Sequence, residues 1–254
     1  MKGWVFAVTI VLLTALGVGA ATVIGAIIGF IFKNISHKFS DIVLAFAAGV
    51  MLCAAVMGLI VPSLEHGGSV IVTVIGVFCG ALVLNLLDKL VPHLHRMAGT
   101  DIEGHKDNKL NKVLLFVMAI ALHNLPEGIA AGVGFGTGNT AEAITIAAGI
   151  ALQNIPEGMV IIAPMLAAGM SKKRTFITAS ITGVIEVVGT FIGYFAVSVS
   201  NAVLPFALAL AGGTMLYVIS DEMIPETHHE GNSSSTYALL AGFALMLIMD
   251  FYLG

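Results

Sequence analysis

His123-Asn124-Leu125-Pro126-Glu127-Gly128 and Gln153-Asn154-Ile155-Pro156-Glu157-Gly158 are nearly the same six residues, 30 positions apart. Extended by two residues, 121–128 (ALHNLPEG) and 151–158 (ALQNIPEG) agree at six of eight positions. Each stretch lies inside an apolar run long enough to cross a bilayer. An acidic residue at mid-bilayer costs about 2.5–3.5 kcal/mol on insertion scales, and intramembrane ionisable residues mark function by default. The duplication repeats the glutamate and also the helix-breaking proline. One buried residue that merely hydrogen-bonds across helices would require neither repetition.

The surroundings fix the class. The chain has 254 residues, of which 58% are hydrophobic and 10% charged, with a mean hydropathy of +1.01. Soluble domains carry about 25% charge. Runs of about 20 apolar residues mark membrane helices, and eight are legible, at 4–32, 41–64, 69–92, 112–134, 142–169, 174–198, 201–221 and 236–253. They are continuously apolar rather than alternating, which predicts helices and not a barrel. The expectation is an all-α polytopic membrane protein, with residues 1–254 as one transmembrane domain and a loop at 93–111. The first run is far longer than a signal-peptide core of about 7–15 residues, so it reads as a retained span. Cys53 and Cys79 both fall in apolar runs and read as inert thiols. The expected surroundings are a lipid bilayer, with no nucleic-acid partner.

Charge placement orients the spans. Lys33 and Lys38 follow the first span. Lys89, Arg96, Lys106, Lys109 and Lys112 surround the loop after the third, and Lys172, Lys173 and Arg174 follow the fifth. These are ten of the eleven basic residues. By the positive-inside rule those loops are cytoplasmic, which puts both termini on the extracytoplasmic side.

Spacing then supplies geometry. Positions i and i+4 share a helix face, so His123 projects with Glu127 and Gln153 with Glu157. The two spans are consecutive and antiparallel, and each motif begins about twelve residues into its run, so both reach one depth. Two such faces meeting surround a point with an imidazole nitrogen, an amide oxygen and two carboxylates, a suitable N/O shell for a divalent transition metal. Asn124 and Asn154 lie one residue round each helix and could serve an adjacent ion. Pro126 and Pro156 leave the carbonyls of Leu122 and Leu152 without helical partners. Membranes tolerate that only where the backbone is buried in protein or lines a wet cavity. Glu186, in ITGVIEVVGT, is a third intramembrane acid.

Other polar groups carry less. Asp221, Glu222, Glu226, His228 and His229 lie at the inner end of the seventh span, and Asp88, His93 and His95 close the third on the same side. These suggest either a cytoplasmic exit site or solvated helix ends. Glu222 and Glu226 share a face only if the helix runs through Pro225, which argues against it. Glu65 and His66 read as interfacial residues at the outer mouth. Glu142 suits a helix N-terminus, and Asp250 has no evident role.

With its HNLPEG motif and a matching one on the next span, the chain resembles the ZIP (Zrt/Irt-like) divalent-metal transporters. Gln153 at the head of the second motif is similar to the GufA-like branch. The resemblance implies a binuclear site halfway across the membrane, with metal ligands at His123, Asn124, Glu127, Gln153, Asn154, Glu157 and Glu186. Residues 47–51 (AAGVM) resemble a stretch whose methionine adds a ligand, which implies Met51; by composition alone Met51 would be core filler. Asn154 departs from relatives that carry an acid there, and an amide lowers the charge of the second site. The expected function is uptake of a divalent transition metal, zinc foremost, toward the cytoplasm by alternating access; a mixed N/O shell without thiolate also suits Cd, Fe, Mn and Co. The resemblance also implies a homodimer. The short loops and small size point to a bacterial or archaeal plasma membrane, and the expectation is no enzymatic activity and no cofactor beyond the metal as substrate. Two rival readings are an intramembrane zinc metalloenzyme using His123 and Glu127, which lacks an H-E-x-x-H motif here, and a passive metal channel.

Overall fold

The computed structural model describes residues 2–32, 36–67, 69–97, 108–167, 169–200, 202–227 and 233–254. Among them every regular element is helical. The helices are α1 (Lys2–Ile31), α2 (His37–Glu65), α3 (Val70–Met97), α4 (Asn108–Gly134), α5 (Thr140–Ala167), α6 (Lys172–Val199), α7 (Leu204–Thr227) and α8 (Ser233–Leu253). Seven of these, α4 apart, are long and apolar enough to cross a membrane; α4 itself has 27 residues and carries the first motif.

Local chemistry sets the helix ends. Ser36 and Ser171 cap α2 and α6, accepting from the amides of Phe39 and Arg174. Asn139 accepts from Ala141 N and Glu142 N at the start of α5, satisfying amides that a first turn leaves without partners. The tight α4–α5 turn passes through Gly138 at φ +79°, where a side chain would be strained.

Among the described residues, two helices contain π turns. Ala54–Ile60 of α2 and Ile219–Met223 of α7 are π-helical. Val61 N reaches back to Val56 O, and Ile224 N to Ile219 O. In each case a proline follows directly, Pro62 and Pro225. The wider turn absorbs the missing N–H, so α7 continues through Pro225 to Thr227. The expected stop at 221 is therefore corrected: a π-bulge, a common local feature of functional sites, carries the helix past the proline.

The packing repeats about a pseudo-twofold axis. Helix α1 packs along α5 as α4 packs along α6, while α3 packs along α7 as α2 packs along α8; α1 and α6 meet in the middle. Gly19-x2-Thr22-x2-Gly25-x3-Gly29 on α1 matches Gly183-x2-Glu186-x2-Gly189-x3-Gly193 on α6. The contacts match as well. Gly25 lies on the carbonyl of Ile155 and Gly189 on that of Leu125, which are equivalent positions of the two motifs. Gly158 lies on the carbonyl of Thr22 and Gly128 on that of Glu186. At these contacts a Cβ would meet backbone, so only glycine allows so close an approach. The outcome is that both hexapeptides and both repeat centres sit at one depth in the bundle.

Candidate metal centre

Glu127, Gln153, Asn154 and Glu186 are completely buried, Asn124 nearly so, and His123 and Glu157 are buried with slight exposure. The i, i+4 expectation is realised across the α4–α5 contact. Gln153 Nε2 donates to Glu127 Oε1 at 2.8 Å. His123 Nε2 stands 4.0 Å from Glu157 Oε2. Zinc bonds to nitrogen and carboxylate oxygen are about 2.0–2.2 Å, so that gap is one an ion can bridge with little movement.

The chemistry of the donors points to a cation. Glu127 Oε2, both oxygens of Glu157, Gln153 Oε1, Asn124 Oδ1 and Asn154 Oδ1 are buried without a hydrogen-bond partner. Buried polar atoms are normally satisfied, and each exception calls for an account. Acceptors alone are left over at these residues, a set that a cation can satisfy. Among the described residues no three His, Cys, Asp or Glu side chains converge as a ligand cluster; amides supply part of this donor set.

Glu186 stands apart from the other two acids. Its Oε1 accepts from Thr22 Oγ1 at 2.7 Å and from Asn124 Nδ2. Its Oε2 accepts from Asn154 Nδ2 at 2.7 Å, an amide that also lies 3.4 Å from Val18 O. Thr22 was not among the residues picked from sequence. A threonine in a membrane helix carries no signal alone, and only the register of the α1 repeat against α6 singles it out. Met51 is fully buried on α2, in the apolar core with Ala47, Ala48 and Ile150, and α2 packs along α5.

Glu222 also joins the site. Its Oε2 is 3.2 Å from His123 Nδ1. With the proton on Nδ1, that bond leaves the Nε2 lone pair facing Glu157. A carboxylate on the far nitrogen is the usual way to fix the tautomer of a ligating histidine. Glu222 lies within the π turn of α7.

From His123 and Glu157 a cavity of about 790 Å³ runs to the end of the bundle where α1 joins α2 and α5 joins α6. His37, Ser40, Asp41, Asp221, Glu222 and Glu226 also line it. At the opposite end, His66 Nδ1 lies 3.0 Å from Pro62 O and Nε2 3.3 Å from Thr137 O, and Ser63 Oγ donates to Pro205 O at 2.7 Å. The side chains of His93 and His95, and all of His105, His228 and His229, lie outside what the structure describes.

Helices throughout the described residues, seven of them long and apolar enough to cross a membrane, define a polytopic membrane protein, with a buried, acceptor-rich polar site at the head of a cavity. The model of the ZIP zinc transporter family matches residues 98–250. Zinc transporter GufA of Myxococcus xanthus is 39% identical over 252 residues, covering 96% of this chain and 98% of that protein. Zinc transporter ZIPB of Bordetella bronchiseptica is 37% identical over 244 residues, 92% of this chain and 78% of that one. Human zinc transporter ZIP11 is 28% identical, across 92% and 94% of the two chains. The chain belongs to the ZIP zinc transporter family, and its apolar helices fit a multi-pass protein of a bacterial plasma membrane.

Proposed function

We propose that this protein carries divalent transition-metal ions, zinc foremost, across the membrane toward the cytoplasm by alternating access. The observation that supports it is the set of buried acceptors without partners on Glu127, Gln153 and Glu157, next to the His123 ring at the head of the cavity. His123, Glu127, Gln153 and Glu157 hold the ion, and Glu222 orients His123. Asn124, Asn154 and Glu186 form the adjoining compartment. Met51 is the candidate thioether contribution from α2. With nitrogen and oxygen ligands and no thiolate, the shell also accepts Cd, Fe, Mn and Co.

The cavity mouth lies at the end that carries Lys38, Lys172, Lys173 and Arg174, which the positive-inside rule assigns to the cytoplasm. The conformation is then inward-open, with both termini outside. The packing supports two moving parts, α1, α4, α5 and α6 against α2, α3, α7 and α8, with the substrate at mid-membrane as in transporters built on inverted repeats. In this reading the eight helices work as one transmembrane unit, with no catalytic step and no resident cofactor, and a second copy completes a homodimer.

The test is labelled-zinc uptake into proteoliposomes by the parent, His123→Ala and Glu157→Ala. Saturable loading by the parent alone, with all three inserted and folded, is the expected result. Equal loading by the variants would move the ion path elsewhere. Tight zinc binding without any crossing would favour a fixed metal centre and hence an enzyme.

A further inference from the structure

We infer that Glu186 is not a ligand in this chain but the hub of a hydrogen-bond clamp, and that the mid-membrane site therefore holds one dication. The inference rests on the transport reading above and refines its site.

The three buried acids divide sharply. Glu127 and Glu157 together keep three carboxylate oxygens without a partner. Glu186 keeps none. Its two oxygens take three donors, the hydroxyl of Thr22 and the amide nitrogens of Asn124 and Asn154. Hydrogen bonds to a charged group are about twice as strong as neutral ones, so three of them go far toward replacing the water that burial removed. The donors come from α1, α4 and α5 and the acceptor from α6, so the clamp ties together the four helices of one proposed moving part.

Each amide gives its nitrogen to Glu186 and keeps only a neutral oxygen for an ion. The unsatisfied negative charge is then that of Glu127 and Glu157, which one dication balances. A second dication beside Glu186 would have to turn the amides round and strip the carboxylate of its donors. Asn154 decides this. An aspartate at that position could not donate; it would face Glu186 as a second acid and call for a second cation. Thr22 is the other distinctive member, standing where the repeat on α6 has Glu186 itself. Two acids at the repeat centres would meet across the α1–α6 contact. The hydroxyl turns that meeting into a hydrogen bond.

The experiment counts zinc bound per chain on the full-length protein in nanodiscs, by equilibrium dialysis and mass spectrometry. Subtracting the count of the Glu127→Ala/Glu157→Ala double variant removes any ions held by the loop histidines. A difference of one zinc is expected for the parent, for Thr22→Val and for Glu186→Gln. A difference of two is expected for Asn154→Asp, a gain that loss of a purely structural bond would not produce. A parent difference of two, loss of the ion in folded Glu186→Gln, or an unchanged count in Asn154→Asp would each overturn the clamp. If the parent shows no difference at all and takes up no zinc, the transport reading itself falls and the clamp with it. If it shows two and does take up zinc, only the clamp falls.

Discussion

At the scale of single residues, the balance of donors and acceptors decides what each side chain does. His123 illustrates it. One ring nitrogen faces Glu222 and the other faces Glu157, so in the proposed site the ring stands between a carboxylate that orients it and one that would share its ion. Removing such an outer partner typically costs about 10–100-fold in metal affinity. Glu222→Gln should therefore weaken zinc binding by about 10–100-fold while leaving the bound count unchanged, as read by competition with a chromophoric chelator. Affinity indistinguishable from the parent would assign Glu222 to the cavity wall alone. The hexapeptide residues were legible in the sequence because polar groups in hydrocarbon stand out against their neighbours. Thr22 was not, since its hydroxyl can serve its own helix in any membrane span and its partner is 164 positions away. Glu222 was visible but unplaced, because its side depends on whether the helix survives Pro225.

At the scale of helices, apolar length made the spans legible, whereas features that depend on a single shifted hydrogen bond were not. The π turns of α2 and α7 are the clearest case: no hydropathy pattern records a bond to i−5 instead of i−4. Replacing Pro225 with alanine restores the amide that the π turn accommodates and so favours regular α geometry over 219–225. Such a change in winding rotates Glu222 away from His123. Pro225→Ala should stay folded and inserted but lose zinc uptake to a degree similar to Glu222→Gln; full activity would show that the π turn does not aim the carboxylate. Close helix approach makes the opposite kind of prediction. A Cβ at Gly158 would fall on the Thr22 carbonyl. Gly158→Ala should destabilise the bundle by about 1–3 kcal/mol, the usual cost of overpacking, measured as a lowered unfolding midpoint in detergent. An unchanged midpoint would mean that α1 and α5 can separate freely there.

For the whole molecule, the pseudo-twofold explains why the motif is written twice: α4 and α5 are symmetry partners, and so are α1 and α6. The hexapeptide repeat is conspicuous because four of its six positions are identical. The α1/α6 repeat is carried by glycines in a glycine-rich chain and differs at its functional centre, Thr22 against Glu186, so only the contacts bring it out. Orientation follows from charge alone and can be tested alone. With Cys53 and Cys79 replaced by alanine, Ser171→Cys at the α5–α6 turn should react with an impermeant maleimide only from the cytoplasmic side, and Gly254→Cys only from the outside. Labelling in the reverse sense would turn the cavity outward and reverse the direction of transport.

In the proposed cycle the ion crosses by alternating exposure of the site between α4 and α5. Zinc counterflow tests it most directly. Proteoliposomes preloaded with unlabelled zinc are diluted into trace labelled zinc, and the label inside is followed with time. A carrier exchanges ions one for one, so label should rise transiently above its equilibrium level with the parent chain and not with Glu157→Ala. A monotonic rise with no overshoot, in vesicles that nonetheless conduct zinc, would contradict alternating access and leave an open pore as the explanation.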